Sequence, residues 1–206
     1  MKFSFILKRF FAINLFAFLF ASSVPASETY VLDTQNSKLQ WNAKKVTGQH
    51  IGTVDIKSGS VTMDGETVRS GSFQVDMTTI MDLDLKKELM RNKLINHLKS
   101  DDFFAVEKYP ITVFKIIQVI PLKSGNTTHS VTGNLTIKGI THEIQFPAVL
   151  TKVENGYQLN AEFDIDRTKW DLRYNSGKFF QKLGDKLIYD NIHFKLDVVV
   201  KKTSLK

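Results

Sequence analysis

Apolar and polar residues alternate along most of the chain after residue 30, and this pattern is typical of strands with one buried face. The clearest case is the last predicted strand, in which one face consists of Ile192, Phe194, Leu196, Val198 and Val200. The same period of two occurs in several earlier runs. They are residues 39–44, 73–77, 131–138 and 159–166.

Short turn sequences separate these runs. Asp64-Gly65 and Asn155-Gly156 are hairpin dipeptides, because Asn, Asp and Gly tolerate positive φ. About eight or nine strands joined mainly by short loops predict an antiparallel sheet. At eight strands such a sheet can close into a barrel that is either filled by side chains or holds one small ligand.

An eight-stranded outer-membrane barrel would show the same alternation, so it is an alternative for this pattern. However, the outward rows carry charges such as Glu162, Asp164, Lys195 and Asp197, which a lipid environment would penalise. The pattern therefore favours an all-β fold with an apolar interior and a solvated outer surface.

One segment, residues 82–98 ("DLDLKKELMRNKLINHL"), departs from the alternation and predicts an amphipathic α-helix. Asp82 or Asp84 would cap its start, and the helix would cover an edge or an end of the sheet or form a lid over a cavity. The predicted apolar stripe consists of Leu85, Leu89, Met90, Leu94 and Leu98.

The N-terminus has the layout of a secretory signal peptide. A basic head precedes an apolar run over residues 10–21, and small residues follow up to Ala26. We therefore predict a cleaved signal over residues 1–26, a single barrel domain over residues 27–206, and export to the periplasm. Loss of Lys2, Lys8 and Arg9 would lower the formal net charge from +7 to +4.

The composition restricts the kinds of partner and of catalytic chemistry that the chain could have. The chain has no cysteine, so an exported form would depend on its core rather than on disulfides. Basic and acidic residues are interleaved, which disfavours a nucleic-acid partner, while transient contact with a membrane surface and a homodimer both stay open. The five histidines fit no metal-ligand spacing, and the common nucleophile motifs are missing. We therefore predict no metal, no catalytic residue and no enzymatic activity.

The most distinctive stretch is "HLKSDDFFAVEKYP", residues 97–110. Together with blocks at residues 41–54, 71–80, 131–147 and 163–175, in this order, it resembles the YceI-like family of lipocalin-like polyisoprenoid-binding proteins. The resemblance spans nearly all of the predicted mature chain. Two departures are Asp171, where the family pattern suggests glycine, and the less similar Phe179-Phe180 stretch that follows.

The resemblance implies a lipocalin-like antiparallel eight-stranded β-barrel with a helix beside it and an elongated apolar tunnel. Family members hold a long isoprenoid or a similar amphiphilic lipid there, and export to the periplasm is common among them. A bound isoprenoid lipid or isoprenoid quinone would then be the only cofactor-like group. In the 97–110 stretch, Asp101 and Asp102 would stay in water while Phe103 and Phe104 turn inward, as a plug or as ligand contacts.

Residue types alone fit a solid core as well as a tunnel, and the resemblance favours the tunnel. Donors for a polar head group are predicted at its mouth in His50, Arg167 and Tyr174, although Arg167 could instead pair with Asp164 or Asp166 on the outer surface. The predicted tunnel wall consists of Phe73, Val75, Phe104, Phe114, Leu135, Ile137, Phe163, Ile165 and Phe194.

These features predict a periplasmic carrier or reservoir for a polyisoprenoid or similar long-chain amphiphile. One alternative is a quinone-linked electron-transfer accessory, or an enzyme that acts on an isoprenoid. Another is a structural protein whose barrel is filled by side chains.

Overall fold

The computed structural model describes residues 27–122 and 125–203, so the predicted signal peptide lies outside the described residues. Within them the chain forms nine strands and one α-helix, and two short 3-10 helices cover Arg167–Trp170 and Gly184–Lys186. The elements are β1 (Glu28–Leu32), β2 (Lys38–Lys45), β3 (Gly48–Asp64), β4 (Thr67–Asp82), α1 (Glu88–Lys99), β5 (Ile111–Pro121), β6 (His129–Ile137), β7 (Ile140–Val153), β8 (Gly156–Asp166) and β9 (Ile188–Lys202).

The strands close into one antiparallel barrel. Their order is β1-β3-β2-β9-β8-β7-β6-β5-β4, with additional pairings of β1 with β9 and of β3 with β4. The β3–β4 pairing closes the sheet into a barrel. Strands β1 and β2 each pair with both β3 and β9, at different heights, so together they fill one position of the barrel. The barrel therefore has eight positions, which confirms the predicted fold class.

The predicted hairpins are confirmed, and each contains a residue with a left-handed backbone. Gly65 between β3 and β4 has a φ of 58°, and Asn155 between β7 and β8 has a φ of 59°. Glycine and asparagine reach this region at little cost, and for this reason these dipeptides mark tight turns. The connections β3–β4, β5–β6 and β7–β8 lie at one end of the barrel, which we call the hairpin end.

The opposite end, which we call the helix end, is covered by α1 and by the segments 100–110 and 167–187. The helix was predicted from Asp82, and this start is wrong: Asp82 is the last residue of β4, and α1 begins at Glu88. Lys87 precedes the helix and makes no side-chain capping hydrogen bond. Among the described residues, no helix is both long and apolar enough to cross a bilayer.

The apolar stripe of α1 also differs from the prediction. Leu89 is 80% exposed and Met90 is 49% exposed, whereas Ile95 is the buried residue of the helix. Leu94 and Leu98 are partly buried beside it. The predicted stripe is therefore only partly correct: the first turn of α1 is exposed at Leu89 and Met90, and the second half of the helix packs against the core through Ile95.

A lengthwise apolar cavity as the candidate ligand site

The barrel interior contains a cavity with a volume of about 220 Å³. At the helix end it is bordered by Phe103 and Leu172, and at the hairpin end by Met63 and Tyr157. Nearly all of its surface is apolar. Side chains therefore do not fill the interior completely. A purely structural barrel would have a filled interior.

The cavity is long and narrow. Its border on β9 runs from Ile188 to Val200. At about 3.3 Å per residue this stretch covers ~40 Å of strand, and a tilt of about 40° leaves ~30 Å along the barrel axis. Spread over that length, a small volume gives a tube with room for a single slender chain.

Inward-facing glycines keep this tube open. A Cβ added at Gly59 would lie 2.2 Å from the Phe73 ring, and one at Gly52 would lie 2.2 Å from the Trp41 ring. Each glycine faces that residue directly across the strand pair. The rings therefore lie flat against the wall, over backbone that has no side chain, instead of projecting into the lumen.

A third site follows the same principle, since a Cβ at Gly133 would lie 2.4 Å from the Phe114 ring. The predicted site does not include these glycines, although an isolated glycine inside an alternating strand indicates a close approach of another group.

Eight of the nine predicted wall residues border the cavity. The exception is Ile165, which is 5% exposed and belongs to the apolar cluster that includes Trp170 and Leu172. Ile165 lies at the helix end of β8, directly before the 3-10 helix that contains Trp170, and this covering layer accounts for its burial. The eight that border the cavity are Phe73, Val75, Phe104, Phe114, Leu135, Ile137, Phe163 and Phe194.

Arg167 borders the cavity, but its guanidinium already has partners. The side chain is 1% exposed and donates hydrogen bonds to the carbonyl oxygens of Leu172, Ile188 and Tyr189. One of its nitrogens lies 3.4 Å from a carboxylate oxygen of Asp190. Burial lowers the pKa of Arg167, and the negative charge of Asp190 opposes that change. Arg167 thus holds together the backbone of the helix end.

The alternative pairing of Arg167 on the outer surface is also wrong. Asp166 instead accepts hydrogen bonds from the Lys178 ammonium, at 2.6 Å, and from the Thr168 hydroxyl, also at 2.6 Å. Asp164 lies 2.8 Å from Nδ1 of His193 on the outside of the barrel.

The other two residues predicted at the polar mouth do not border the cavity. His50 lies beside Asp82 and Asp84, with its Nδ1 3.1 Å from Asp84 Oδ2. Tyr174 packs its ring 4.6 Å from that of His97. The predicted polar mouth therefore does not exist as one group, because the residues belong to separate strand ends and loops.

The polar side chains that do border the cavity were partly missed. In addition to Arg167, they are Thr112 near the start of β5, at the helix end, and His129 at the start of β6, at the hairpin end. His129 Nδ1 is 2.8 Å from the Thr128 hydroxyl, and burial lowers the pKa of this imidazole. No period or motif in the sequence distinguishes these residues from other strand positions.

The 97–110 stretch joins α1 to the cavity. Phe103 and Phe104 both border the cavity, and Phe103 is 8% exposed, whereas Asp101 and Asp102 are exposed to solvent. The rings therefore turn inward as predicted, and their position at the helix end of the cavity is compatible with either predicted role, a plug or a ligand contact.

Asp171 keeps the turn that the family pattern assigns to glycine. Its φ of 60° and ψ of 27° place it in the left-handed region, directly after the 3-10 helix Arg167–Trp170. Aspartate tolerates this region better than most residues. The following Leu172 is 1% exposed, so the chain returns to the core at once.

Comparison with known proteins gives related sequences over most of the chain. A profile of the YceI-like domain matches residues 30–200. A UPF0312 protein of Pseudomonas putida strain W619 is 28% identical over 144 residues, which are 68% of this chain and 71% of the relative. A UPF0312 protein of Vibrio parahaemolyticus serotype O3:K6 is 31% identical over 126 residues, which are 58% of this chain and 61% of that relative.

Two solved structures share the fold. Burkholderia cenocepacia BcnA superposes with a TM-score of 0.65 at 20% identity, covering 82% of this chain and 98% of BcnA. A polyisoprenoid-binding domain from Saccharophagus degradans, implicated in plant cell wall breakdown, superposes with a TM-score of 0.62 at 12% identity. That match covers 84% of this chain and 98% of the domain.

Proposed function

Since the chain belongs to the YceI-like family, as its sequence predicted, we propose that it is a periplasmic carrier or reservoir. It holds one polyisoprenoid, or a similar long-chain amphiphile, in its barrel without changing it chemically. The polyisoprenoid-binding domain of Saccharophagus degradans, which shares this fold, supports the proposed ligand class.

The observation that carries this proposal is the lengthwise apolar cavity. A polyisoprenoid has few polar atoms, so its binding must come from buried area. At about 0.8 kcal/mol per buried methylene, a tail of roughly twenty carbons contributes on the order of 16 kcal/mol. Association costs about 4–15 kcal/mol. The balance is favourable only when most of the tail is enclosed, and a tube that runs the length of the barrel provides that enclosure.

The scarcity of polar groups argues for recognition of the tail rather than the head. Among the described residues that border the cavity, the charged or polar side chains are Thr112, His129 and Arg167, besides the Tyr157 hydroxyl and the Trp41 indole N–H, which donates to the Thr53 carbonyl oxygen. Arg167 is occupied by backbone carbonyls. A quinone-linked role, the alternative, would place the quinone ring beside one of these groups, at either end of the tube.

Extraction of the purified protein tests the proposal and separates it from the alternative. Protein secreted into the periplasm of a bacterial host is washed free of membranes and extracted with organic solvent, and the extract is analysed by mass spectrometry. We expect about one isoprenoid or comparable amphiphile per chain. A quinone in that role would favour the alternative. Repeated extracts without lipid, together with no uptake of added prenols, would contradict both.

A single methyl group should close the tube. In Gly59→Ala the three atoms nearest to the new Cβ all belong to the Phe73 ring, at 2.2–3.0 Å, so this ring must move away from the wall and into the lumen. We expect prenol uptake to fall by at least about tenfold, at a stability cost of roughly 1–3 kcal/mol. The control is Gly177→Ala, whose Cβ would meet only a Leu187 methyl group at 3.2 Å. Equal uptake by the two variants would argue against binding in the lumen.

The helix end offers a route by which a lipid could enter from a membrane. Phe179 and Phe180 are 45% and 49% exposed, and Lys178 and Lys182 flank them. Exposed rings beside basic residues suit a transient contact with an anionic lipid surface. Co-sedimentation with anionic vesicles should therefore decrease in Phe179→Ser/Phe180→Ser, whereas binding of prenol supplied in detergent should not change.

A further inference from the structure

Three side chains that are distant in sequence meet at the helix end, beside the barrel. His50 lies near the start of β3, Asp82 ends β4, and Asp84 lies in the segment between β4 and α1. Nδ1 of His50 lies 3.1 Å from Oδ2 of Asp84 and 3.7 Å from Oδ2 of Asp82. One ligand atom from each of the three residues falls within 4.8 Å of the other two.

The backbone fixes both carboxylates. Oδ1 of Asp82 accepts a hydrogen bond of 2.8 Å from the Leu85 N–H, and Oδ1 of Asp84 accepts one of 2.8 Å from the Ile51 N–H. In each carboxylate one oxygen is therefore anchored, and the other is directed at His50. Supporting hydrogen bonds of this kind orient carboxylate ligands in metal sites.

Asp82 supplies an independent sign that a ligand belongs here. Its side chain has no exposed surface. Its Oδ2 accepts no hydrogen bond from any residue within the described ranges. The distance of 3.7 Å to His50 is too long for a hydrogen bond. A buried carboxylate oxygen without a partner costs free energy, so such an atom in a native protein requires an explanation.

We propose that His50, Asp82 and Asp84 bind a divalent first-row transition-metal ion, with Zn²⁺ as the representative. Imidazole nitrogen and carboxylate oxygen are both ligands of Zn²⁺, at bond lengths of about 2.0–2.2 Å. In a tetrahedral site such bonds place ligand atoms roughly 3.4 Å apart, close to the observed 3.1 and 3.7 Å.

The surroundings leave room for the rest of the coordination sphere. The side chains of His50 and Asp84 are 24% and 34% exposed, so the site opens to solvent on one side, where water could complete the shell. His50 would bind through Nδ1 and carry its proton on Nε2. The ion would connect β3 to the segment that leads into α1, and would thereby reinforce the cover of the helix end.

The sequence predicted no metal site, because the five histidines show no ligand spacing and Asp82 and Asp84 were assigned to a helix cap. The main competing explanation is a proton on Asp82, shared with Asp84, and burial does raise the pKa of Asp82. A protonated pair would need no contribution from His50 and would give no affinity for Zn²⁺, so titration with the metal separates the two.

The test is calorimetric titration of the untagged mature protein with Zn²⁺ after removal of metals with a chelator. We expect one site per chain with an affinity in the micromolar range or tighter, and weakening of at least about tenfold in both His50→Ala and Asp84→Asn. Replacing Zn²⁺ with Co²⁺ should give visible absorption bands that are lost in the same variants. Circular dichroism of the metal-free variants checks that they are folded.

The matched control is His193→Ala. His193 also lies between two carboxylates, with Nδ1 2.8 Å from Asp164 and Nε2 3.9 Å from Glu162, but both acidic side chains are more than half exposed. We expect this variant to keep the affinity of the unaltered protein. The proposal is overturned if the protein shows no stoichiometric Zn²⁺ site, or if folded His50→Ala binds as the unaltered protein does, or if His193→Ala loses as much affinity. These results would not affect the proposal of lipid binding, which has its own readout.

Discussion

The two ends of the barrel are built by different means. The hairpin end is formed by short connections between neighbouring strands, and it is packed with apolar and aromatic side chains such as Tyr30, Met63 and Tyr157. The helix end is covered by α1 and two irregular segments, and it contains the buried charged groups Asp82 and Arg167.

Because the two ends are closed by different kinds of contact, they should differ in how strongly their stability depends on single residues. At the hairpin end the packing is shared among many apolar and aromatic side chains, such as Tyr30 and Tyr157, whose ring centroids lie 5.2 Å apart. At the helix end Arg167 ties together the backbone at residues 172, 188 and 189, so segments that are distant in sequence depend on one side chain. We therefore expect single substitutions to have larger effects at the helix end.

The largest effect is expected for Arg167→Met. This change removes the guanidinium, leaves three carbonyl oxygens without their donor, and leaves the partly buried Asp190 with only the Lys178 ammonium, at 3.8 Å, as a nearby cation. Breaking a buried pair on one side costs about 3–5 kcal/mol, and the urea midpoint should fall accordingly.

Arg173→Met is the control for Arg167→Met. The Arg173 side chain is 55% exposed and pairs with Asp171, so its loss should cost less than about 1 kcal/mol. Similar urea midpoints for the two variants would show that Arg167 contributes no more to the stability of the helix end than an exposed arginine does.

A smaller effect, dependent on pH, is expected at the hairpin end. The Tyr30 hydroxyl donates a hydrogen bond of 2.8 Å to Glu28, and this bond and burial raise the pKa of Tyr30 to about 12. Because this pKa is above that of an unfolded tyrosine, about 10, the contribution to stability is complete below pH 10. It is lost as the pH rises through about 12.

Tyr30→Phe should therefore be less stable than the unaltered protein at pH 9 by roughly 1–2 kcal/mol. The gap should shrink as the pH approaches 12. Denaturant unfolding of both proteins across this range measures the gap, and a constant difference at every pH would show that the Tyr30 hydroxyl does not titrate as described.

The smallest effect concerns the turn at Asp171, at the helix end. Because this residue is left-handed, Asp171→Gly should be more stable than Asp171→Ala by about 1 kcal/mol. At an ordinary exposed position the order would be reversed, since alanine restricts the unfolded chain more than glycine does. Thermal unfolding of the two variants gives the sign directly.

The comparison of the two ends also explains what the sequence could predict. The alternation of Ile192, Phe194 and Leu196, and the turn at Asn155, depend on neighbouring residues, so strands, hairpins and the inward faces of the strands follow from the pattern. The prediction that these inward side chains line a tunnel rather than fill a core depends on the family resemblance. The strand order and the hairpins of the structure agree with the predicted barrel.

The helix end could not be predicted in this way. Asp82 has the residue type of a helix cap and accepts a hydrogen bond from the nearby Leu85 N–H, yet it ends β4, and the side chain beside it, His50, comes from β3. Arg167 and His50 were expected beside the ligand, but contacts with Asp190 and Asp84 determine where they lie. Such contacts depend on tertiary structure and leave no period in the sequence.

A crystal structure of the protein saturated with a long prenol would show whether a hydrocarbon chain occupies the tube between the two ends. We expect continuous density inside the barrel, from Leu172 and Phe103 at the helix end toward Met63 at the hairpin end, with the Phe73 ring still lying over Gly59. Side chains that meet across an empty lumen, with the prenol bound on the outside, would refute binding inside the barrel.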